Sequence, residues 1–232
     1  MEIQKAPEGS KVDYAIYPSL LDAYLRFKRH DDDETFDTLF CKINKIKTEQ
    51  TEGQLKGVEF EDLVNQRIDG QDLVLSTDKP DHYKSENFEF LCEPIDSIAN
   101  QLRNCIDKQV YMETLINTPL GVVKLYGIID YEFPDMIVDL KGTSNYKCNK
   151  YKDNTQHAMY SLIRHVNDLP IEAFKYKVSD YVNDFQETYI PSENMFDKLM
   201  ITIYGFINFI NYYKANITDT KIFGGEAANA SH

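Results

Sequence analysis

Two short apolar runs, residues 122–129 and 136–140, flank the sequence Phe-Pro-Asp at 133–135. A turn signal between two strand-forming runs predicts a β-hairpin. With the turn centred between its proline and its aspartate, Asp130 lies directly across from Asp139. This hairpin constrains the fold strongly, because a slip of one residue would turn every side chain to the other face of the sheet.

The charged side chains of this hairpin should meet at one spot. Side chains alternate between the faces of a strand, so Asp139 and Lys141 share one face while Val138 and Leu140 point to the other. Two carboxylates that face each other across a hairpin, such as Asp130 and Asp139, repel and destabilise it. A cation between them removes that cost, and hard cations such as Mg²⁺ prefer carboxylate oxygens. Acids, metal and a neighbouring ammonium together suit the binding and hydrolysis of a phosphate ester.

The composition describes a globular protein. The chain has 232 residues, of which 42% are hydrophobic, enough to bury a substantial core in one domain. No apolar run approaches the roughly 20 residues of a membrane span, and the N-terminus lacks the apolar segment of a signal peptide. We therefore expect a cytoplasmic protein without membrane association.

The cysteines are few and widely spaced. No C-x-x-C pair is present, so the spacings of zinc ribbons and iron–sulfur sites are absent. We expect reduced, mostly buried thiols and no iron–sulfur cluster. The residues concerned are Cys41, Cys92, Cys105 and Cys148.

The net charge of −13 argues against general nucleic-acid binding, which uses basic surfaces. The distribution of charge is uneven, however. The segment 141–165 carries +4, so the rest of the chain carries −17. A basic segment directly after the hairpin suits an enzyme that grips a phosphate backbone, although a solvated loop and helix face would have the same composition. The candidate substrate contacts in it are Lys147, Lys150, Lys152 and Arg164.

The remaining pattern predicts an α/β protein with a mixed sheet. Helices are expected at 17–27 (with Ser19 as a candidate N-cap), 35–46, 51–68, 90–105, 154–166 and 193–214. Strands are expected at 109–116, 121–131, 136–141, 171–179 and 184–190. Residues 1–14 should form a loose arm, 69–88 a loop and 217–232 a tail, of which 224–232 should be disordered.

The third predicted helix carries a carboxylate on its apolar side. The face that runs from Gly57 to Ile68 by helical spacing includes Glu61. An unpaired carboxylate there is costly, so Glu61 needs a cation, a hydrogen-bond partner or a position at the margin of the stripe that reaches solvent. Glu59 and Asp62 face elsewhere and are expected to be solvated.

The helix after the hairpin carries Gln156 and Tyr160 four residues apart, with Arg164 one turn further. These side chains could line one face above the sheet, or they could be the polar flank of a helix that packs through its apolar residues. His157 and His165 have no metal-ligand spacing with other residues, so we expect surface or structural roles for both.

In order along the chain, these residues resemble the PD-(D/E)xK nuclease superfamily, especially its RecB-like and lambda-exonuclease-like branches. The motifs are Gly57-x3-Glu61, Gly127-Ile-Ile-Asp130, Val138-Asp139-Leu-Lys141 and Gln156-x3-Tyr160. The sequence from Tyr17 to Tyr24 also resembles the N-terminal helix motif of RecB-like members. The resemblance covers about residues 57–160. It implies a restriction-endonuclease-like αβββαβ core, with a mixed central sheet flanked by helices and with extra N-terminal helices.

The resemblance also implies roles for individual residues. Glu61, Asp130 and Asp139 would bind one or two Mg²⁺ or Mn²⁺ ions. Lys141 would position or activate the attacking water and stabilise developing charge. Gln156 and Tyr160 would support the site or contact DNA. Many RecB-like members have a histidine where this chain has Glu61, and the glutamate suits the lambda-exonuclease-like branch better.

The resemblance thus implies a metal-dependent deoxyribonuclease, expected to be an exonuclease in DNA recombination, repair or phage DNA processing, in a bacterial or phage-infected host cytosol. It would be one nuclease domain, with a helical extension at 1–56, a catalytic core at 57–190, a C-terminal helix at 191–216 and a tail. DNA is the expected partner, and a protein partner or a homo-oligomer stays open. The alternatives are a catalytically inactive scaffold with the nuclease fold and an acidic protein-interaction module.

Overall fold

A computed structural model describes residues 3–31 and 35–225 of the chain. The helices are α1 (Pro18–Arg29), α2 (Phe36–Ile43), α3 (Glu52–Ile68), α4 (Cys92–Leu102), α5 (Gln156–Val166) and α6 (Glu193–Tyr212). The strands are β1 (Gln4–Lys5), β2 (Tyr14–Ile16), β3 (His82–Lys84), β4 (Glu89–Leu91), β5 (Asp107–Thr118), β6 (Gly121–Glu132), β7 (Met136–Gly142), β8 (Ala173–Ser179) and β9 (Asp184–Tyr189).

Seven strands form one mixed sheet in the order β1-β5-β6-β7-β8-β9, with β2 beside β6. The pairs β2–β6 and β7–β8 are parallel, and the other neighbouring pairs are antiparallel. The predicted mixed central sheet flanked by helices is confirmed. The predicted αβββαβ order is found in α3, β5, β6, β7, α5 and β8, with the small hairpin β3–β4 and α4 inserted after α3.

One edge of β6 is shared by two partners. Residues 123–125 pair with β2, whereas residues 131–132 pair with β7. Within the described residues, no strand pairs with this edge between 126 and 130, although β5 follows the opposite edge. The sheet therefore has a gap in the middle of β6, bounded by β2 and β7, which we call the sheet gap.

Two hydrophobic cores pack on the two faces of the sheet. Ile137 belongs to the larger core, together with buried residues of α1, α2, α5 and α6. Val138 and Leu140 belong to the smaller core, with α3 and α4. Because side chains alternate along a strand, Asp139 faces the larger core and α5. The predicted separation of Asp139 from Val138 and Leu140 is thus confirmed.

The N-terminal segment differs from the predicted loose arm. β1 pairs with β5, and β2 begins at Tyr14 and pairs with β6. α1 begins at Pro18 and is preceded by Tyr17, so Ser19 is not its N-cap. Proline suits the first position of a helix because its missing N–H would have no partner there.

The predicted loop at 69–88 and the predicted helix at 90–105 also need correction. The loop contains β3, and residues 89–91 form β4, so α4 begins only at Cys92. Strands of three residues are too short to show a clear alternation of apolar and polar side chains. The other predicted helices and strands are present with shifted ends.

Three further expectations concern the tail, the thiols and the membrane. Thr220–Phe223 form a 3-10 turn in which Ile222 is buried. Of the predicted disordered residues 224–232, all but the first two lie outside the described part of the chain. The expectation of mostly buried thiols is wrong, because Cys148 is exposed and the other three cysteines are only half-buried.

None of the described helices is long and apolar enough to cross a membrane.

Candidate active site

The two hairpin strands separate at the acids. The β6–β7 ladder pairs Tyr131 with Val138, and the register of the predicted turn is confirmed. One residue further, at Asp130 and Asp139, this ladder has ended within the described residues. Instead, the backbone N–H of Leu140 donates a hydrogen bond of 2.9 Å to Oδ2 of Asp130. A side chain thus satisfies a backbone group that a continuous ladder would have paired.

Gln109 lies opposite Asp130 on the other side of β6. It is the residue at which the otherwise regular β5–β6 pairing is interrupted, and its φ of 53° lies in the left-handed region. Its side-chain Nε2 lies 2.8 Å from Oε1 of Glu61 and 3.5 Å from Oδ1 of Asp130. A left-handed φ is uncommon for a residue with a side chain and tends to occur at functional sites. Gln109 joins two of the acids, and sequence reasoning missed it.

Asp139 and Lys141 form an ion pair inside this site. Nζ of Lys141 lies 2.6 Å from Oδ2 of Asp139, whose side chain is 2% exposed against 30% for that of the lysine. The other oxygen, Oδ1 of Asp139, accepts a hydrogen bond from the side-chain amide of Gln156 at the start of α5. The carboxylate is therefore held from two sides, while the ammonium reaches solvent.

Glu61 reaches the site because α3 packs very closely on β7. A Cβ atom added to Gly142 would lie 3.3 Å from Cα of Gly57 and 3.0 Å from the ring of Tyr181. Glycine at position 142 permits this approach, whereas a Cβ atom on Gly57 would make an ordinary contact of 3.7 Å with the carbonyl oxygen of Gly142. Glu61 is half-buried, and Gln109 is its hydrogen-bond partner.

Burial and like charges set the protonation of these groups. Burial raises the pKa of Asp130 well above its ordinary value, and the charge of Asp139 raises it further. Burial and then the Asp139 charge also raise the pKa of Glu61. Burial acts to lower the pKa of Lys141, but Asp139 and Asp130 together outweigh it and raise that pKa, so Lys141 remains an ammonium. The acids are crowded, and an added cation would relieve their repulsion.

The donor chemistry of the site fits a divalent cation. Apart from the Lys141 ion pair, the buried Oδ2 of Asp139 has no hydrogen-bond partner within the described residues. No three His, Cys, Asp or Glu side chains in that part of the chain are arranged as a ready metal site. Because the Gln109 amide contacts both Glu61 and Asp130, a cation held by these two acids requires the amide to move. Donor sets made of oxygen alone suit Mg²⁺ or Mn²⁺.

Lys141 lies between two clefts. The larger, of about 860 Å³, contains Glu61 and Lys150 and is lined mainly by polar residues at the start of α3 and after β7. The smaller, of about 390 Å³, contains Gln156 and Tyr160 and opens at the sheet gap. Both clefts include Lys141, and Glu61 lines the larger one, so a long ligand could occupy both and pass Glu61 and Lys141 on the way.

The predicted substrate contacts are not all near these clefts. Lys150 lines the larger cleft, where its Nζ lies 2.7 Å from Oγ1 of Thr143. Lys147 is exposed in the same loop. Lys152 lines a separate cavity of about 210 Å³ beside His157.

Arg164 does not fit its expected contact with DNA. It is 2% exposed, and its guanidinium donates to Oε1 of Glu132 at 2.7 Å and to the carbonyl oxygens of Phe133 at 2.8 Å and Pro170 at 2.9 Å. It therefore ties the hairpin turn to the end of α5, and a phosphate cannot reach it without displacing these partners.

Two further acids have roles that the sequence pattern did not predict. Glu59 is 7% exposed, which corrects its expected solvation, and it accepts hydrogen bonds from the side chain of Ser85 and from Asn87. Asp22 in α1 accepts hydrogen bonds from N and Oγ1 of Thr155 at 2.6 and 2.8 Å. Asp22 thereby fixes the start of α5, next to Gln156.

Tyr160 contacts the edge of β6 inside the sheet gap. Its hydroxyl donates a hydrogen bond of 2.8 Å to the carbonyl oxygen of Ile128, where the edge of β6 pairs with no strand of the described chain. This contact requires a glycine nearby, because a Cβ atom on Gly127 would lie 2.4 Å from the Tyr160 hydroxyl oxygen. The Gly127 and Tyr160 motif residues thus meet in space.

We expect Gly127→Ala to lower the free energy of unfolding by about 1–3 kcal/mol, the usual cost of forcing an extra methyl group into a packed region. The added methyl must displace the Tyr160 ring and break its bond to Ile128. Thermal unfolding followed by circular dichroism measures the loss. Gly53→Ala is the matched control, because a Cβ atom there meets nothing within 4 Å. Equal melting temperatures for Gly127→Ala and Gly53→Ala would contradict the expectation.

No protein-family model matches the sequence, and no curated protein is significantly similar to it. Among solved structures, the crystal structure of a protein from Eubacterium rectale described as "Putative exonuclease" is 13% identical, covers 88% of this chain and 83% of its own, and gives a TM-score of 0.53. The structure of the protein SSO0001 is 12% identical over 85% of this chain and 79% of its own, with a TM-score of 0.46, which is too low to support a conclusion. At such identity the likeness to the Eubacterium rectale protein shows a shared fold.

Proposed function

We propose that this protein is a divalent-metal-dependent deoxyribonuclease of the PD-(D/E)xK type. The observation that carries the proposal is the convergence of Asp130, Asp139 and Lys141 where β6 and β7 separate, with Glu61 joined to them through Gln109. Crowded acids beside an ammonium, with Glu61 and Lys141 lining a polar cleft, match the needs of phosphodiester hydrolysis. The fold shared with the Eubacterium rectale protein supports a nuclease-like architecture.

In this proposal Glu61, Asp130 and Asp139 would hold one or two Mg²⁺ or Mn²⁺ ions. A bound cation would act as a Lewis acid on the phosphoryl oxygen and lower the pKa of a bound water molecule. Lys141, as an ammonium, would donate to a phosphate oxygen and offset the charge that develops on it. Gln156 would keep Asp139 oriented through its hydrogen bond to Oδ1.

The distribution of charge supports a nucleic-acid substrate at this face alone. Lys150 and Lys147 lie in the loop beside the larger cleft, whereas the chain outside residues 141–165 carries −17. A phosphate backbone would be repelled by most of the surface and attracted to the basic loop. We infer that the substrate is a DNA strand near its end, processed in recombination, repair or a phage life cycle.

The test is the degradation of end-labelled linear DNA, single- and double-stranded, with Mg²⁺, Mn²⁺ or EDTA. We expect loss of label with either metal and none with EDTA. A closed circular substrate should survive if the enzyme is an exonuclease. A Lys141→Ala protein purified in the same way controls for a contaminating nuclease. Intact DNA under every metal would contradict the proposal and favour an inactive scaffold or an acidic interaction module.

A further inference from the structure

The smaller cleft has a chemistry unlike that of the larger one. Its wall contains the rings of Tyr17, Tyr111 and Tyr126, beside Lys141. The ring centroids of Tyr17 and Tyr126 are 5.6 Å apart, and those of Tyr111 and Tyr126 are 6.4 Å apart, so the rings form one continuous aromatic wall. The larger cleft, in contrast, is lined mainly by hydroxyl, amide and charged groups.

We propose that this aromatic wall is a stacking subsite for an unpaired base of the DNA strand whose phosphate lies at Lys141. The inference rests on the proposed nuclease function and adds to it a preference for single-stranded DNA. Lys141 belongs to both clefts, so a strand that passes the acids places its next nucleotide against the tyrosines. The faces of bases inside a duplex are covered by their neighbours, and only an unpaired base can stack on such a wall.

Tyr111 is the residue best placed to receive the base. It is 53% exposed, and the adjoining Ile128 is 51% exposed, so a flat apolar surface faces solvent at the sheet gap. Tyr17 and Tyr126 are half-buried behind it. An exposed aromatic surface of this kind next to charged groups is what sequence-independent binding of single strands uses.

Polar contacts hold the Tyr111 ring in place. Its hydroxyl donates a hydrogen bond of 2.5 Å to Oε2 of Glu113, which also lies 2.5 Å from Nζ of Lys124. The Lys124 ammonium lies 5.9 Å from the centre of the Tyr111 ring and 5.8 Å from that of Tyr126. A ring that is fixed before binding loses little conformational freedom when a base stacks on it.

The acid of this cleft does not oppose the proposal. Asp22 lines the wall near Lys141, where its Oδ1 accepts hydrogen bonds from N and Oγ1 of Thr155 at the start of α5. This oxygen is therefore engaged by α5.

The test is the binding of a fluorescein-labelled 20-nucleotide single strand, measured by anisotropy in EDTA so that no hydrolysis occurs. Tyr111→Leu should weaken binding about tenfold, because base stacking on one aromatic side chain is worth roughly 1.4 kcal/mol or more. Tyr111→Phe keeps the ring but loses the hydroxyl bond to Glu113, so it should retain most of the binding that Tyr111→Leu loses. Tyr212→Leu, at a tyrosine that is 82% exposed on α6, is the matched control.

A second strand of the same length that lacks its bases separates stacking from phosphate contacts. The wild type should bind this abasic strand, and a blunt duplex, more weakly than the normal strand. On these two ligands Tyr111→Leu should cause no further loss of affinity. Equal binding of the normal strand by the wild type and Tyr111→Leu would overturn the subsite, as would an equal loss on both strands. Base-dependent binding without any cleavage would instead refute the nuclease proposal and leave the subsite standing.

Discussion

Asp139→Asn should abolish DNA hydrolysis, with a loss of at least about 10²–10³-fold, as is typical when one group that stabilises developing charge is removed. The substitution keeps the size of the side chain and its hydrogen bond to Gln156 but removes the charge beside Lys141. The substitution keeps the shape of the side chain, so the chain should still fold. Because Lys141 loses its partner at 2.6 Å inside the protein, we expect a melting temperature below that of the wild type.

The effect of Mn²⁺ on the melting temperature tests metal binding by Asp139 independently of DNA hydrolysis. Mn²⁺ should raise the melting temperature of the wild type, because a ligand at 100 times its dissociation constant stabilises a folded protein by about 2.7 kcal/mol. Asp139→Asn should lose this response. Asp135→Asn, at an exposed residue of the same hairpin turn, is the matched control and should keep both the Mn²⁺ response and the hydrolysis. An Asp139→Asn protein that cleaved DNA at the wild-type rate would refute its assignment to the site.

Arg164→Ala should lower the free energy of unfolding by about 3–5 kcal/mol, the usual cost of removing one partner of a buried ion pair. The buried guanidinium binds Glu132 and three carbonyl oxygens, those of Phe133, Pro134 and Pro170. Its loss leaves the acid and these backbone groups without their partner, and it frees the turn of the hairpin that carries Asp130 and Asp139.

Urea unfolding at neutral pH measures this effect. Arg103→Ala, at an exposed arginine that ends α4, should change the stability by less than about 0.5 kcal/mol. Glu132→Gln removes only the charge of the acid and should cost less than Arg164→Ala. A loss below about 1 kcal/mol for Arg164→Ala would mean that the buried network contributes little.

The sequence predicted those elements whose signals are local. The hairpin and its register followed from two apolar runs and a turn, and α3 followed from its helical spacing. These signals lie within a few residues of one another. The strand pairs that bound the sheet gap could not be predicted from local signals, since β2 pairs with β6 across more than 100 residues of chain.

The polar residues were harder to place for the same reason. Glu59 is polar and lies beside exposed residues in α3, and only the distant Ser85 and Asn87 make its burial possible. Arg164 resembles a DNA contact by charge, but its partners are carbonyl groups at the ends of other elements. Gln109 has no motif at all, and its left-handed φ appears only in the folded chain. Burial and pairing of polar groups depend on contacts that sequence spacing does not encode.

The residues of the site are held by two different hydrophobic cores. α3 brings Glu61 from the smaller core, whereas Asp139 faces α5 and the larger core. Proteins open in cooperative parts as well as globally, and each part has its own free energy. An opening confined to α3 and α4 would withdraw Glu61 and leave the hairpin acids in place. The intact constellation therefore requires both cores to be closed at the same time.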